Sequence, residues 1–263
     1  MELPFRHGDG CGNRFVVALR SEWEAAGFAW TVETCSAAAG SLCRVPPPSD
    51  GLLLVDDGDR SNPSVRIVNR DGSDGGACLN GLRVVALALG GDHGVLRMAG
   101  HEVAWRRSGE EVELSLGDLD GVPVEPLGCH GFRGFAVGFW NPHAVFFLHE
   151  EDGDRLDGFR LADFAGAVRR SRRFPDGVNV TVAHRSAPGV VRMRVDERGV
   201  GETAACGSAA VAAALARWCE GAPERLRMDL RGGVLTLSRD PRGGVRLRAA
   251  AHLDRTPQVW MQE

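Results

Sequence analysis

The chain has 263 residues, of which 43% are hydrophobic and 25% charged, and its formal net charge is −4. This composition is typical of a globular protein with one large domain or two of ordinary size, and it gives no reason to expect a nucleic-acid partner. All 31 residues counted as lysine or arginine are arginine, which excludes a lysine-linked pyridoxal phosphate in this chain.

Targeting signals and cysteine usage narrow the class further. The first ten residues, MELPFRHGDG, show no basic segment followed by an apolar one, and no apolar run approaches the ~20 residues of a membrane-spanning helix. The seven cysteines include no Cys-x-x-Cys pair, so neither a disulfide scaffold nor a metal site is expected. We expect a cytoplasmic protein with free thiols and no membrane partner.

Secondary structure follows from short β-rich runs bounded by Gly, Pro, Asn or Asp. In chain order, these runs predict strands at 14–19, 51–56, 65–69, 111–116, 134–139, 143–148, 177–184 and 190–196, with three more after Gly221. Helices are expected near 21–27, 79–90, 161–170 and 207–219. A Gly, Asp and Pro cluster at 117–126 predicts two halves, 1–121 and 122–251, with the last ~12 residues completing the first.

Each half contains one unit in which a polar, glycine-bearing loop leads to a cysteine and then to a helix of small residues. NRDGSDGGACLNGLRVVALAL (69–89) contains Cys78, and ERGVGETAACGSAAVAAALA (197–216) contains Cys206. A polar residue stands nine positions before each cysteine: Asn69 in the first unit (78 − 69 = 9) and Glu197 in the second (206 − 197 = 9). The two motifs lie about half a chain apart, which indicates a duplicated unit.

The position of both cysteines at a helix start indicates a reaction class. Unpaired N–H groups and partial positive charge at a helix N-terminus favour a thiolate and also bind a carboxylate. Two such units facing each other would place one thiol on either side of a bound amino acid, which predicts racemisation or epimerisation. The alternative is a small buried hydrophobe, which remains our interpretation of the other five cysteines, Cys11, Cys35, Cys43, Cys129 and Cys219.

Both cysteine motifs resemble the signatures of the diaminopimelate epimerase family. GCGNRF (10–15), WNPHAVFF (140–147) and FPDGVNV (174–180) fit the family in the same order. The resemblance implies an α/β (α+β) fold of two pseudo-symmetric domains, each a curved, mostly antiparallel sheet or barrel around a central helix, with the active site between them. It also implies a homodimer without a cofactor, which converts LL-2,6-diaminopimelate to the meso form in lysine biosynthesis.

The same resemblance assigns roles to individual residues. Cys78 and Cys206 would be the base and acid pair, assisted by His143 and Glu197. The substrate-binding residues that it implies are Asn13, Asn69, Leu79, Asn80, Asn141, Asn179, Arg198, Gly207 and Ser208. Among them, Leu79, Asn80, Gly207 and Ser208 would hold the reacting carboxylate, and Asn69, Asn141, Asn179 and Arg198 the distal end of the substrate.

Three departures from the family pattern leave alternatives open. Leu79 stands where the family has glycine, Arg14 where it has aspartate, and Ala209 where it has a second glycine. We expect Leu79 to have a helical backbone, in which a β-carbon is tolerated. The alternatives are a racemase for another small-molecule amino acid, such as histidine, and a non-catalytic amino-acid-binding descendant.

Overall fold

The computed structural model describes residues 1–149 and 155–261, and the chain divides into two compact units. The first unit is Met1–Ser115 together with Ala249–Glu263, and the second is Leu116–Arg248. The sequence placed these divisions after residues 121 and 251. Both divisions fall a few residues earlier, within strands, and the Gly, Asp and Pro cluster forms a tight turn in which the Val122 N–H donates to the Leu119 carbonyl.

The first unit contains nine described strands. One of them, Glu111–Asp118, extends past Ser115. They are β1 (Glu2–Gly10), β2 (Asn13–Leu19), β3 (Gly51–Asp56), β4 (Ser64–Asn69), β5 (His93–Met98), β6 (His101–Ser108), β7 (Glu111–Asp118), β17 (His252–Leu253) and β18 (Gln258–Met261). Its helices are α1 (Arg20–Ala25), α2 (Val32–Leu42) and α3 (Leu79–Leu89). From β1 to β6, successive pairings alternate between antiparallel and parallel.

The second unit repeats this order of pairings. Its strands are β8 (Val124–Cys129), β9 (Phe132–Phe139), β10 (Asn141–Phe147), β11 (Asn179–Ala187), β12 (Val190–Glu197), β13 (Gly201–Thr203), β14 (Arg225–Leu230), β15 (Gly233–Arg239) and β16 (Gly244–Ala250). Its helices are α4 (Arg155–Gly158), α5 (Leu161–Arg169) and α6 (Gly207–Cys219). The run β9, β10, β11, β12, β14, β15 shows the same alternation as β1 to β6. The prediction of two pseudo-symmetric, mostly antiparallel domains is confirmed.

Each unit is built around one apolar helix. In α3 all eight residues from Leu79 to Ala86 are buried, and α6 buries every residue from Gly207 to Ala216. A helix that is apolar on all sides must be surrounded by other elements. Strands β1 to β6 contact α3, and β8 to β11 together with β15 contact α6. The predicted central helices are therefore confirmed.

The sequence predicted no element over Val32–Leu42, where the structure has α2. Its β-branched start resembles a strand, but Thr31 accepts a hydrogen bond from the Thr34 N–H and forms a capping box. The helix then buries Cys35, Ala38 and Leu42 in the core of the first unit. In the part of the chain that the structure describes, no helix has both the length and the apolar character needed to cross a membrane.

Gly134 sets the spacing between β9 and β10, the strand that carries His143. A β-carbon at Gly134 would lie 2.1 Å from the Val145 carbonyl oxygen, whereas one at Gly128 on β8 would meet nothing within 4 Å. We expect Gly134→Ala to lower the free energy of unfolding by about 1–3 kcal/mol, because the strands must separate. Denaturant unfolding measures this, with Gly128→Ala as the matched control. Equal stability of the two variants would contradict the close packing.

Candidate active site

Cys78 is the residue immediately before α3, the central helix of the first unit. Its backbone is extended (φ −139°, ψ 98°), and its Sγ accepts a hydrogen bond from the Gly81 N–H at 3.3 Å. Leu79 is the first helical residue, so its backbone is helical as expected, and its side chain is buried. The thiol therefore lies at a helix N-terminus, where N–H groups of the first turn have no carbonyl within the helix to bond.

The turn between β1 and β2 lies against the start of α3. Cys11 and Gly12 form this two-residue turn, and both have positive φ (58° and 79°). A β-carbon at Gly10 would lie 2.7 Å from the Asn80 carbonyl oxygen, so the backbones are in direct contact. The Asn13 Oδ1 accepts a hydrogen bond from the Asn80 Nδ2 at 2.6 Å. The structure thus brings two of the expected substrate-binding asparagines together in this unit.

Asn69 is the last residue of β4, and its side chain is engaged in the loop that leads to Cys78. Its Nδ2 donates to the Ser73 hydroxyl at 3.0 Å, and its backbone N–H donates to the Ser73 carbonyl at 2.9 Å. Asp71 accepts from the Ser73 hydroxyl and from its N–H. The observed role of Asn69 is to order this loop.

In the second unit, a row of polar side chains crosses three neighbouring strands. His143 on β10 is in register with Asn179 on β11, and Val180 is in register with Asp196, which places Glu197 at the next position on β12. Successive strand residues point to opposite faces. Ala144 and Val180 pack in the core with α5, so His143, Asn179 and Glu197 share the other face, the one that α6 contacts.

Cys206 immediately precedes α6, and its thiol is bonded to the end of this row. Its Sγ donates to Glu197 Oε2 at 3.1 Å and lies 3.4 Å from the Ser208 hydroxyl. The Thr203 hydroxyl holds the other carboxylate oxygen of Glu197 at 2.6 Å. Glu197, Cys206 and Ser208 are thus brought together at the N-terminus of α6, with Gly207 as its first residue.

Burial raises the pKa of the Cys206 thiol well above its usual value, and the negative charge of Glu197 raises it further. Contacts with Ser208 and the Ala209 backbone oppose this effect without cancelling it. Cys206 is therefore a thiol at neutral pH and is suited to donate a proton. Glu197, held by Thr203, is suited to accept one.

His143 is completely buried, and burial lowers its pKa to about 3, although the Phe139 backbone partly offsets the effect. Within residues 1–149 and 155–261, neither ring nitrogen makes a hydrogen bond that meets normal geometric limits. The imidazole is therefore neutral at physiological pH. It can donate one hydrogen bond and accept another, but it cannot supply an imidazolium.

The remaining expected residues of the second unit lie at the ends of these three strands. Asn141 begins β10, Asn179 begins β11, and Arg198 follows the last residue of β12. Asn179 Oδ1 accepts from the Arg198 backbone N–H at 2.8 Å. The guanidinium of Arg198 is exposed, and its Nη1 donates to the Asp176 carbonyl at 2.7 Å. Asn141 begins β10 two residues before His143, so both side chains point to the same face.

Two residues in these surroundings were not singled out from the sequence. Thr203 lies within the Gly-Glu-Thr element, and only the pairing of β12 with β13 shows that it reaches Glu197. Arg83 is fully buried in α3. The signal that could have revealed it is an arginine within the otherwise apolar run LRVVALAL.

The fold is shared with solved proteins that include epimerases and racemases. The structure of a phenazine biosynthesis protein of the PhzF family from Enterococcus faecalis superimposes with a TM-score of 0.71 at 16% identity, covering 100% of both chains. A hydroxyproline epimerase from Agrobacterium vitis gives a TM-score of 0.64 at 12% identity, covering 97% of this chain and 91% of that one. These likenesses establish the fold.

Sequence comparison is more specific. The chain is 32% identical to the diaminopimelate epimerase of Acidiphilium cryptum over 257 residues, which cover 89% of this chain and 88% of the relative. The family profile described as diaminopimelate epimerase matches residues 135–248. The chain therefore belongs to the diaminopimelate epimerase family, and it is an isomerase of the amino-acid epimerase type.

The contact between Cys206 and Glu197 predicts how the thiol titrates. Because the Glu197 charge helps to keep Cys206 protonated, only a small fraction is thiolate at about pH 8, and its reactivity rises with pH. Glu197→Gln removes that charge and should speed modification of Cys206 by methyl methanethiosulfonate at least about threefold. Peptide mass spectrometry measures the rate at this cysteine.

Glu224→Gln is the matched control, since it removes the same charge from an exposed residue outside this contact. We expect its Cys206 rate to equal that of the wild type. An unchanged or slower rate in Glu197→Gln would show that the carboxylate does not set the ionisation of this thiol.

Proposed function

We propose that this protein interconverts LL-2,6-diaminopimelate and meso-diaminopimelate without a cofactor, by proton transfer between Cys78 and Cys206. The observation that carries the proposal is that each of the two equivalent central helices is preceded by a cysteine in an extended conformation. Membership of the diaminopimelate epimerase family supports this substrate. The resemblance also supports a homodimer in the cytoplasm.

In the proposed mechanism Cys78 is the base and Cys206 is the acid, and the raised pKa of the Cys206 thiol supports the second role. The Cys78 thiolate removes the α-proton and becomes a thiol, while the electron pair moves into the carboxylate of the substrate. The Cys206 thiol then delivers its proton to the opposite face of the carbon and becomes a thiolate. The reverse direction exchanges the two roles.

Charge that develops on the substrate carboxylate needs donors that are already in position. The first residues of α3 and α6, Leu79, Asn80, Gly207 and Ser208, present N–H groups at helix N-termini, which favour an anion. Preorganised donors of this kind contribute several kcal/mol to transition-state stabilisation. Neutral His143 adds polarity without a competing positive charge.

The distal end of diaminopimelate carries an amino group and a carboxylate, and the ends of β11 and β12 offer matching groups. Asn179 holds the backbone of Arg198, and the side chain of this arginine is exposed. Arginine binds a carboxylate through paired, charge-assisted hydrogen bonds. In the proposed complex, the Arg198 side chain exchanges part of its contact with the Asp176 carbonyl for the distal carboxylate.

A specific observation favours a second candidate, a racemase for another amino acid. Two of the expected distal residues already have protein partners, since Asn69 bonds to Ser73 and Arg198 to Asp176. A smaller substrate would leave these contacts in place. A non-catalytic descendant is less well supported, because Cys78, Cys206 and Glu197 are all present.

The two-base mechanism makes both thiols essential. We expect Cys78→Ser and Cys206→Ser each to lower kcat/KM by more than about a hundredfold, because a hydroxyl is far less acidic than a thiol. The assay is solvent deuterium incorporation at the α-carbon of LL-diaminopimelate. Cys219→Ser, which changes an exposed thiol at the far end of α6, is the control and should keep wild-type activity. More than a tenth of wild-type kcat/KM in either catalytic variant would refute the mechanism.

Substrate choice is tested at the distal site. Arg198→Met keeps the apolar stem and removes the donors, so kcat/KM for diaminopimelate should fall by tenfold or more. The same deuterium assay is run on a panel that includes histidine, proline and other amino acids without a distal carboxylate. A wild-type enzyme that labels one of these faster than diaminopimelate, together with an unaffected Arg198→Met variant, would favour the second candidate.

A further inference from the structure

The short segment 176–179, which ends at the first residue of β11, contacts Arg198 along its whole length. The Arg198 backbone N–H donates to Asn179 Oδ1 at 2.8 Å, and its Nη1 donates to the Asp176 carbonyl at 2.7 Å. Between these two bonds, the aliphatic stem of Arg198 lies against Gly177. A β-carbon at Gly177 would lie 2.7 Å from Cδ and 3.1 Å from Cγ of the arginine. Carbon atoms in ordinary contact are about 3.5–4.0 Å apart, so the stem occupies the space of the missing side chain.

The backbone at Gly177 is fixed by the core of the second unit. Gly177 has a φ of 81°, in the left-handed region that favours glycine, and its N–H donates to the Phe174 carbonyl at 3.0 Å. Phe174 and Val178, on either side of it, pack in the core with α5. This backbone is therefore held from below, whereas the Arg198 side chain above it is exposed. A side chain added at Gly177 would displace the arginine stem rather than the segment.

Arg169, the last residue of α5, joins the same segment to the end of β12. Its Nε donates to the Val178 carbonyl at 3.0 Å, and its Nη2 donates to the Asp196 carbonyl at 2.8 Å. Its Nη1 is paired with the Asp196 carboxylate at 2.6 Å. Asp196 lies two residues before Arg198. The spacing between Gly177 and the strand end that carries Arg198 is therefore fixed by one side chain.

Gly199 provides a comparison on the other side of Arg198. Its φ is 80°, almost the same as that of Gly177, but a β-carbon there would meet nothing within 4 Å. Alanine at either position would adopt the same unfavourable backbone conformation. Only alanine at Gly177 would also collide with the arginine. The two glycines thus separate the effect of backbone strain from the effect on Arg198.

We propose that Gly177 is a positioning residue that sets substrate specificity through Arg198: the absence of a side chain at Gly177 lets the arginine stem lie where its guanidinium can take a carboxylate distal to the reacting carbon. The proposal rests on the function proposed above, in which Arg198 binds the distal carboxylate, and it adds the residue that places the guanidinium. The bond to Asp176 uses Nη1. Nε and Nη2 remain to form the paired hydrogen bonds by which arginine binds a carboxylate.

The position of Arg198 is tested without substrate, by its rate of modification with phenylglyoxal, followed for each arginine by peptide mass spectrometry. In the wild type, Arg198 should react more slowly than the exposed Arg172, because its guanidinium is bonded and its stem is packed. Gly177→Ala should break these contacts and raise the Arg198 rate at least about threefold. Gly199→Ala is the matched control and should leave the rate at the wild-type value.

The effect on specificity is measured by deuterium incorporation into LL-diaminopimelate. Gly177→Ala should lower kcat/KM about tenfold, chiefly by raising KM, because a contact with the bound substrate is lost. Gly199→Ala should keep the wild-type value. In an Arg198→Met background, Gly177→Ala should lower kcat/KM by less than about twofold, since two residues that act through one contact are not additive. A merely structural role of Gly177 would produce the same loss in both backgrounds.

The proposal is overturned by an unchanged Arg198 modification rate in a folded Gly177→Ala protein, by an equal increase in Gly199→Ala, or by additive losses in the Arg198→Met background. If Gly177→Ala does not fold, the wild-type rates decide: Arg198 reacting as fast as Arg172 overturns the proposal, and slower reaction supports it. A wild-type protein that labels no amino acid with deuterium rejects the proposed function. Faster modification in Gly177→Ala would even then show that Gly177 positions Arg198.

Discussion

The structure depends on one repeated constraint: a cysteine must be the last extended residue before a helix that is buried on all sides. In the first unit β4 ends nine residues earlier, at Asn69, and in the second β12 ends nine residues earlier, at Glu197, with the short strand β13 between it and the cysteine. Cys78 and Cys206 have nearly the same backbone angles, φ −139° and ψ 98° against φ −136° and ψ 114°. Because surrounding strands fix each helix along its length, the helix N-terminus and its thiol are also fixed. A preorganised site of this kind needs little rearrangement to stabilise charge.

The surroundings of the second cysteine are held more firmly than a loop alone would allow. Asp196, which precedes Glu197, is buried and paired with Arg169 on α5 at 2.6 Å. On the next strand, Glu202 accepts from both Arg194 and Arg231, so β13 is anchored beside β12. Arg194 also donates to three carbonyls, those of Leu156, Asp157 and Phe159. This network orders the strands that carry Glu197 and Thr203, and it explains how the carboxylate is held against the thiol.

Local patterns in the sequence were enough to predict α6 at 207–219 and β3 at 51–56, because those segments show one period throughout and have clear ends. They also located both cysteines at helix starts. They could not show that Arg83 is buried beside Cys11, since this depends on the β1–β2 turn folding onto α3. The contact of Asn179 with the Arg198 backbone likewise follows from strand register, which one sequence does not display. Helix α2 was missed because its capping box competes with a β-branched start.

The departure from the family pattern at Leu79 is explained by what each residue of Cys-Leu-Asn-Gly does. Leu79 has a helical backbone, and any residue can supply its N–H group from that conformation. Asn80 bonds to Asn13 through its side chain. Gly81 is closely packed, because a β-carbon there would lie 2.7 Å from the Leu53 side chain on β3 and would displace it. Its N–H also donates to the Cys78 sulfur. The glycine whose N–H bonds to the thiol is therefore retained, and the one replaced by Leu79 is not needed for the helix to begin.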